Sequence, residues 1–302
     1  MNMQDKGIRA WLRAEDVQSP THAAIQNLWL TWCRFAENPL GLFGLGIVLL
    51  LVFAAIFVPY LAPYSPFDQN LQAALHPPGG EYLLGTDELG RDILSRILWG
   101  SRITLSIIVI VSIIVAPIGL LVGCFAGYYG GWLDTVLMRI TELFLSFPSL
   151  ILALAFVAAL GPNLQNAIIA IALTQWPPIA RLARAESLSL RQRDHILAVK
   201  LMGASNLRIV LSHIVPLCIP SVVVRITLNM AGIILTAAGL GFLGLGAQPP
   251  TPEWGAMVST GRRFMIDSWW VVTMPGLSIL IVSLAFNLAG DALRDALDPR
   301  QE

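Results

Sequence analysis

Charge is what this chain has least of. Of its 302 residues, 13% are Asp, Glu, Lys or Arg and 56% are hydrophobic, where a soluble domain carries about 25% charged residues. Mean hydropathy is +0.69. The solvent of such a protein is largely lipid. Lysine is scarcer still: Lys6 and Lys200 are the only two, and neither precedes Ser or Thr. A GxxxxGK[ST] phosphate-binding loop is therefore excluded, and with it ATP binding of that kind. His22, His76, His195 and His213 are scattered, without HExxH or another metal-ligand spacing. Cys33, Cys124 and Cys218 stand far apart in or near apolar stretches, where a thiol serves as a small packing group. Neither a metal centre nor a structural disulfide is expected. The first 40 residues hold no apolar run fit for a signal peptide, so the chain is expected to enter the membrane through its first span and keep its leader.

Apolar runs of spanning length are what the chain does have. A helix rises about 1.5 Å per residue and the hydrocarbon core is about 30 Å thick, so a span needs about 20 apolar residues. Candidates are Gly41 to Leu61, Ile103 to Phe125, Phe144 to Leu160 with a polar lead-in from Val136, Leu164 to Ile179, Ile219 to Phe242, and Trp269 to Leu288. Leu164 to Ile179 is short and ends in Gln175, Trp176, Pro177 and Pro178. An even count puts both termini on one side. With the termini inside, the outer loops hold Arg91, Arg96, Arg102, Arg262 and Arg263, while Arg181, Arg184, Arg191, Arg193, Lys200 and Arg208 cluster inside. That asymmetry predicts cytoplasmic termini. Residues 1–40 then form a cytoplasmic tail, and residues 41–302 the membrane domain. In the tail, Ile25, Leu28, Trp29, Trp32, Phe35 and Ala36 recur at helical spacing beside Gln26, Arg34 and Glu37, the pattern of an interfacial helix.

Polar residues inside spans demand an account. Arg139 and Glu142, three apart, are expected to pair on one helix face. Arg225 has no acid near it in sequence and is expected to snorkel to the inner interface. Asn229 and Asn287 are expected to bond across helices. Outside, Asp87, Glu88, Arg91, Asp92 and Arg96 lie at helical spacings, so Asp92 and Arg96 are expected to pair along a short external helix after Gly90, whether as a solvated cluster or as a docking or gating element. Pro249, Pro250 and Pro252 stiffen the other outer loop into a plug or platform.

The inner loop 185–218 contains "ILAVKLMGASNLRIVLSHIVP", from Ile196 to Pro216. Ile196, Val199 and Met202 form an apolar stripe, and Gly203 supplies the freedom to end that helix. A second helix is expected from Ser205 to about Val215, with Leu207, Val210, Leu211 and Ile214 on one face and Pro216 after it. Such a helix–Gly–helix can protrude into a groove of another protein or cap the bundle from below.

Gly203, Ala204 and Ser205, followed by Ile214 and Pro216, resemble the cytoplasmic motif of ABC importer permeases, Glu-Ala-Ala, three residues, Gly, then Ile and a nearby Pro. Leu197, Ala198 and Val199 stand at its Glu-Ala-Ala positions, so the acidic member is missing. "LLGTDELGRDILSRILWGSR" (Leu83 to Arg102), "GYYGGWLD" (Gly127 to Asp134), "GFLGLGAQPPTPEWGAM" (Gly241 to Met257) and "AFNLAGDALRDALDP" (Ala285 to Pro299) are similar to blocks of one branch, the second, C-type permease of dipeptide, oligopeptide and nickel importers. The resemblance implies an all-α membrane protein of six transmembrane helices with the type I ABC importer permease fold and a cytoplasmic coupling helix. It implies Leu197, Ala198, Val199, Lys200, Gly203, Ala204 and Ser205 as the residues that couple to an ATPase. It also implies an inner-membrane complex of this chain, a homologous sister permease, two ATPases that bind ATP and Mg, and an extracytoplasmic substrate-binding protein. No cofactor, catalytic residue or nucleic acid is assigned to this chain. The translocation path is expected between the two permeases, along the second to fifth spans. No Cys/His/Asp cluster lines the spans, so short peptides are the expected substrate, with nickel or a metal chelate as the alternative. A secondary transporter would show inverted repeats and buried coupling acids, and a membrane enzyme a nucleophile, acid pair or metal set.

Overall fold

A computed structural model describes residues 19–297; residues 1–18 of the expected tail lie outside the described residues. Every regular element among the described residues is helical. Helix α1, Pro20–Glu37, begins where Ser19 Oγ accepts the His22 N–H and ends at Asn38. Asn38 also starts α2, Pro39–Leu61, its side chain accepting from the Leu40 and Gly41 N–H groups. One short polar residue thus closes one helix and opens the next. The tail segment is indeed helical, and Phe35 docks it on Ala292 and Ala296.

Helix α3, Ile93–Tyr129, runs 37 residues from an Asp92 cap that accepts the Ser95 N–H at 2.8 Å. Helices α4, Gly131–Leu145, and α5, Ser149–Leu160, meet at 90° before and after Pro148. Proline there has no N–H to continue the ladder, and it disfavours helix at Phe147. After a turn at Gly161 come α6, Leu164–Gln175, and α7, Pro177–Leu190. Then follow α8, Asp194–Leu201, and α9, Asn206–Ile209. A π-turn at Val210–Ile214 leads into α10, Val215–Phe242. Helices α11, Trp254–Gly261, and α12, Trp270–Leu297, complete the chain.

Four continuous segments are long and apolar enough to cross a bilayer: Pro39–Leu61, Ile93–Tyr129, Asn206–Phe242 and Trp270–Leu297. The bent α4–α5 pair makes a fifth if it counts as one span. The expected sixth run is divided at Trp176 between α6 and α7, and α6, at 12 residues, is only about 18 Å long.

Two apolar clusters hold the bundle. One, including Val111, Val157, Ile171, Ile179, Ile196, Ile209 and Ile214, joins α3 and α5 through α10. The other, including Leu51, Ile108, Ile234, Trp254, Trp270 and Phe286, joins α2, α3, α10, α11 and α12. The tightest seam lies between α3 and α7. A Cβ at Gly119 would lie 2.7 Å from Ile179 Cβ, and one at Gly127 2.7 Å from Ser187 Cβ; at Gly123 it would strike the Ala180 carbonyl. Small residues at i, i+4 and i+8 let two backbones meet where lipid gives helices no hydrophobic drive to associate.

The external segment differs from expectation. Asp92 caps α3 itself, so there is no separate short helix, and Arg96 turns from Asp92 to Asp87, 3.5 Å away. Asp87 Oδ2 also takes Arg91 Nε at 2.6 Å. Asp87, Arg91, Asp92 and Arg96 are all buried, not solvated. The spacing of four favoured Asp92 as the partner of Arg96; the helix N-terminus claims Asp92 because its free N–H groups need an acceptor. The proline loop is packed rather than free: Pro250 O accepts from Arg96 Nη1 at 3.5 Å. Glu253, also buried, caps α11 through the Gly255 and Ala256 N–H groups at 2.8 and 2.7 Å. Burial pushes its carboxyl above the usual carboxylate range, against those two N–H bonds.

Candidate coupling site

Asp194 stands in the first turn of α8, where the helix dipole favours an acid. Ile196 is buried and Val199 packs against the main cluster, but Met202 is 78% exposed and leaves the expected stripe. The helix ends in a doubly bonded C-cap: the Gly203 N–H reaches Lys200 O at 3.1 Å and the Ala204 N–H reaches Val199 O at 3.3 Å. These are the two bonds of a Schellman motif, which needs a left-handed residue at its centre. Gly203 supplies it with φ +87°, and the space around it is open. Ser205 Oγ then accepts the Arg208 N–H at 3.4 Å and starts α9.

The second arm departs from the expected short helix. Pro216 does not end it; Asn206 to Phe242 is one continuous helical segment of 37 residues. The Val215 N–H bonds back to Val210 O, a five-residue step. A wide turn there accommodates Pro216, which lacks an N–H and whose ring crowds the carbonyl of an ordinary preceding turn. The buried face becomes Ile209, Val210 and Ile214, while Leu207 and Leu211 are exposed.

Of the predicted coupling residues, Val199 and Ala204 face the bundle, and Leu197, Ala198, Lys200, Gly203 and Ser205 are exposed. Beside them Leu201, 89% exposed, and Met202 present a bare apolar tip. One side of this element thus packs on the bundle and the other is exposed.

Residues that the sequence reading passed over brace this tip. Tyr128, at the end of α3, donates its hydroxyl to Asn206 Oδ1 at 2.9 Å. Arg191 Nη1 donates to Gly127 O at 3.1 Å, and Ser187 Oγ to Cys124 O at 3.0 Å. Arg184 grips Asp134 through two 2.6 Å bonds, tying α7 to α4. The four-residue spacing of Gly119, Gly123 and Gly127 is a signal that could have pointed to a close helix seam; the Arg184–Asp134 pair, 50 residues apart, had no local signal.

The other singled-out polar groups behave variously. Arg139 and Glu142 pair at 3.3 Å on an exposed face. Asn229 Nδ2 donates to Gln175 Oε1 across α10 and α6 at 3.1 Å, as expected, whereas Asn287 is on an exposed face. Arg225 is exposed and shares a cavity with Glu186 of α7. Cys124 and Cys218, distant in sequence, meet beside Glu186 with both thiols free. No group of three or more His, Cys, Asp and Glu that could hold a metal occurs among the described residues.

Long apolar helices, with an exposed apolar helix–Gly–helix tip braced against the bundle, are the build of a multi-pass membrane protein. Residues 119–302 match the family described as the binding-protein-dependent transport system inner membrane component, and residues 27–78 match the N-terminal transmembrane domain of oligopeptide transport permease C. The chain belongs to this family of ABC importer permeases, on its C-type branch. It is 47% identical to the di/tripeptide transport system permease protein DppC of Pseudomonas aeruginosa over 276 residues, 89% of this chain and 91% of that protein. It is 45% identical to the dipeptide permease DppC of Haemophilus influenzae, across 89% and 93% of the two chains. It is 44% identical to the probable D,D-dipeptide permease DdpC of Escherichia coli, across 90% and 91%. A chain of the inward-facing methionine ABC transporter MetNI superposes with TM-score 0.55 at 22% identity, covering 68% of this chain and 98% of that one. That likeness fixes the fold: all-helical, of the type I ABC importer permease kind.

Proposed function

We propose that this chain is the second permease of an ATP-driven importer that carries short peptides across the inner membrane. The observation that carries the reading is its identity to di- and tripeptide permeases along nearly their whole length. In this reading the chain pairs with a homologous sister permease, two ATPases bind and hydrolyse ATP beneath the pair, and an outer binding protein delivers the peptide. The termini are cytoplasmic, α4–α5 makes the third crossing and α6–α7 the fourth, for six in all. The helix–Gly–helix from Asp194 to Ile209 is the coupling element, with Leu197, Ala198, Lys200, Gly203, Ser205, Leu201 and Met202 toward the ATPase and Val199 and Ala204 toward the bundle.

The mechanism is linkage. ATPase closure shifts the permease only if the closed dimer fits its outward-open form better than its inward-open form. A tip held by two caps, and joined to α3 by the Tyr128–Asn206 bond and the glycine seam, moves as one piece with the spans rather than flexing at the loop. The test is uptake of a labelled dipeptide by cells with and without this gene, all partners present. Loss of uptake on disruption supports the reading. Unchanged peptide uptake with lost nickel or metal-chelate accumulation overturns it.

A further inference from the structure

A cavity of about 410 Å³ opens between α7, α10 and α12, lined by Leu182 and Glu186, by Pro220, Ser221, Val224, Arg225 and Leu228, and by Arg294 and Leu297. Its three charged side chains carry both signs, yet none of them is ion-paired among the described residues. Glu186 Oε2 is buried, and no N–H or hydroxyl of the described residues reaches it; the only donor beside it is the weak Cys218 thiol. A carboxylate oxygen withdrawn from water with no strong donor is costly, and a ligand that brings one lowers that cost. Two arginines beside it offer donors and positive charge to an anion. The wall is also ordered by depth. On α7 Leu182 lies one turn above Glu186, and on α10 Leu228 lies nearly one turn above Arg225, in each case farther from the end that leads to the coupling element.

We infer that this cavity binds the head of an inner-leaflet lipid that carries a phosphate and a primary ammonium, a phosphoethanolamine head. The phosphate meets Arg225 and Arg294, the ammonium donates to Glu186 Oε2, and the first acyl methylenes lie against Leu228, Val224 and Leu182. Basic sites between helices at the cytoplasmic face suit lipid phosphates; the carboxylate, lacking a strong donor, adds selection for an N–H group. The inference rests on the cytoplasmic orientation of the α7–α10 ends given above. The site joins the two arms that carry the coupling element, so its occupant adds to the seam between them.

The test uses the complete importer complex in nanodiscs and native mass spectrometry of retained lipid. Phosphatidylethanolamine is compared with phosphatidylcholine, which has the same phosphate but no ammonium N–H. A charged hydrogen bond predicts about tenfold preferential retention of the ethanolamine lipid. Glu186→Gln abolishes that preference but leaves phospholipid retained, and Arg225→Gln with Arg294→Gln lowers retention of both lipids. Ser221→Phe, which fills the cavity without touching a charge, also lowers both. Equal retention of the two lipids by the wild-type complex overturns the assignment, as does an unchanged preference in Glu186→Gln. Displacement of the lipid by a dipeptide overturns it in favour of a peptide exit site. Dipeptide uptake and sided cysteine labelling, measured for the same variants in whole cells, report the transport and orientation readings separately.

Discussion

At Gly203 the backbone sits at φ +87° with nothing within 4 Å of where a Cβ would be, so any penalty for substitution is conformational and not steric. A β-branched residue is strained there by about 1–2 kcal/mol, while Asn tolerates the left-handed region. Gly203→Val is therefore expected to insert normally yet lose most uptake and bind the ATPases less well, and Gly203→Asn to keep most of both; uptake assays with co-purification of the ATPases decide, and full uptake by Gly203→Val refutes the coupling role. Glu253 offers a pH test. Its carboxyl is pushed above the ordinary 4.5 by burial, so the folded state holds the proton more tightly than the unfolded chain does. Stability is then greatest below that ordinary value and falls as pH rises through the raised one. The small cavity it shares with Thr104, Ile107, Ile234, Ala237, Ala238, Trp254 and Ile279 holds no second titratable group among the described residues. Glu253→Gln keeps an acceptor for the Gly255 and Ala256 N–H groups and should flatten the pH dependence of the melting temperature, whereas Glu253→Ala loses the cap and about 1 kcal/mol. Residue roles of this local kind were the legible ones: Gly203 and Ser205 announce a stop and a start within three positions. Arg96 was not legible, because the spacing of four pointed to Asp92, and only the demand of the α3 N-terminus for an acceptor leaves Asp87, nine residues away, as its partner.

Between elements, the α3–α7 seam sets how motion at the coupling tip reaches the membrane. A leucine at Gly123 has to displace the Ala180 carbonyl and the Arg184 N–H, neither of which is a flexible side chain. Gly123→Leu is expected to separate α3 from α7 and reduce the folded, membrane-inserted fraction severely, by the 1–3 kcal/mol or more of an overpacked core; detergent stability of the purified complex measures it. The tip itself should behave oppositely. Leu201→Asp changes a side chain that is 89% exposed, so it should leave folding intact while weakening ATPase co-purification; unchanged association would mean that the apolar tip is not the docking surface. Helix existence was largely readable, since apolar runs and caps are local. Register in the second arm was not. Counting at 3.6 residues per turn placed Leu207, Val210, Leu211 and Ile214 on one face; Val210 and Ile214 are buried, with Ile209 beside them, while Leu207 and Leu211 are exposed. Likewise no periodicity reveals that Pro148 turns α4 and α5 by 90°.

Across the whole molecule, the number of crossings turns on α5 and α6. The four continuous segments alternate in direction whether or not the α5–α6 hairpin spans, so the positions of the termini do not decide the matter; the tip of the hairpin does. Each of these two helices has 12 residues, about 18 Å against a hydrocarbon core of about 30 Å. With α4 lying across α5 at 90°, and carrying Asp134, Arg139 and Glu142, the six crossings proposed above require the hairpin tip at Gly161–Asn163 to be reached from the outer side, below the level of the outer loops. In a complex freed of Cys33, Cys124 and Cys218, a cysteine at exposed Asp267 should be labelled quickly by an impermeant maleimide from outside, and one at exposed Ser189 only from inside. A cysteine at exposed Pro162 should be labelled from outside, more slowly than at Asp267. Labelling of Pro162→Cys only from inside makes α5–α6 a re-entrant hairpin and the protein a four-crossing bundle, and labelling of Ser189→Cys from outside reverses the orientation on which the coupling assignment depends.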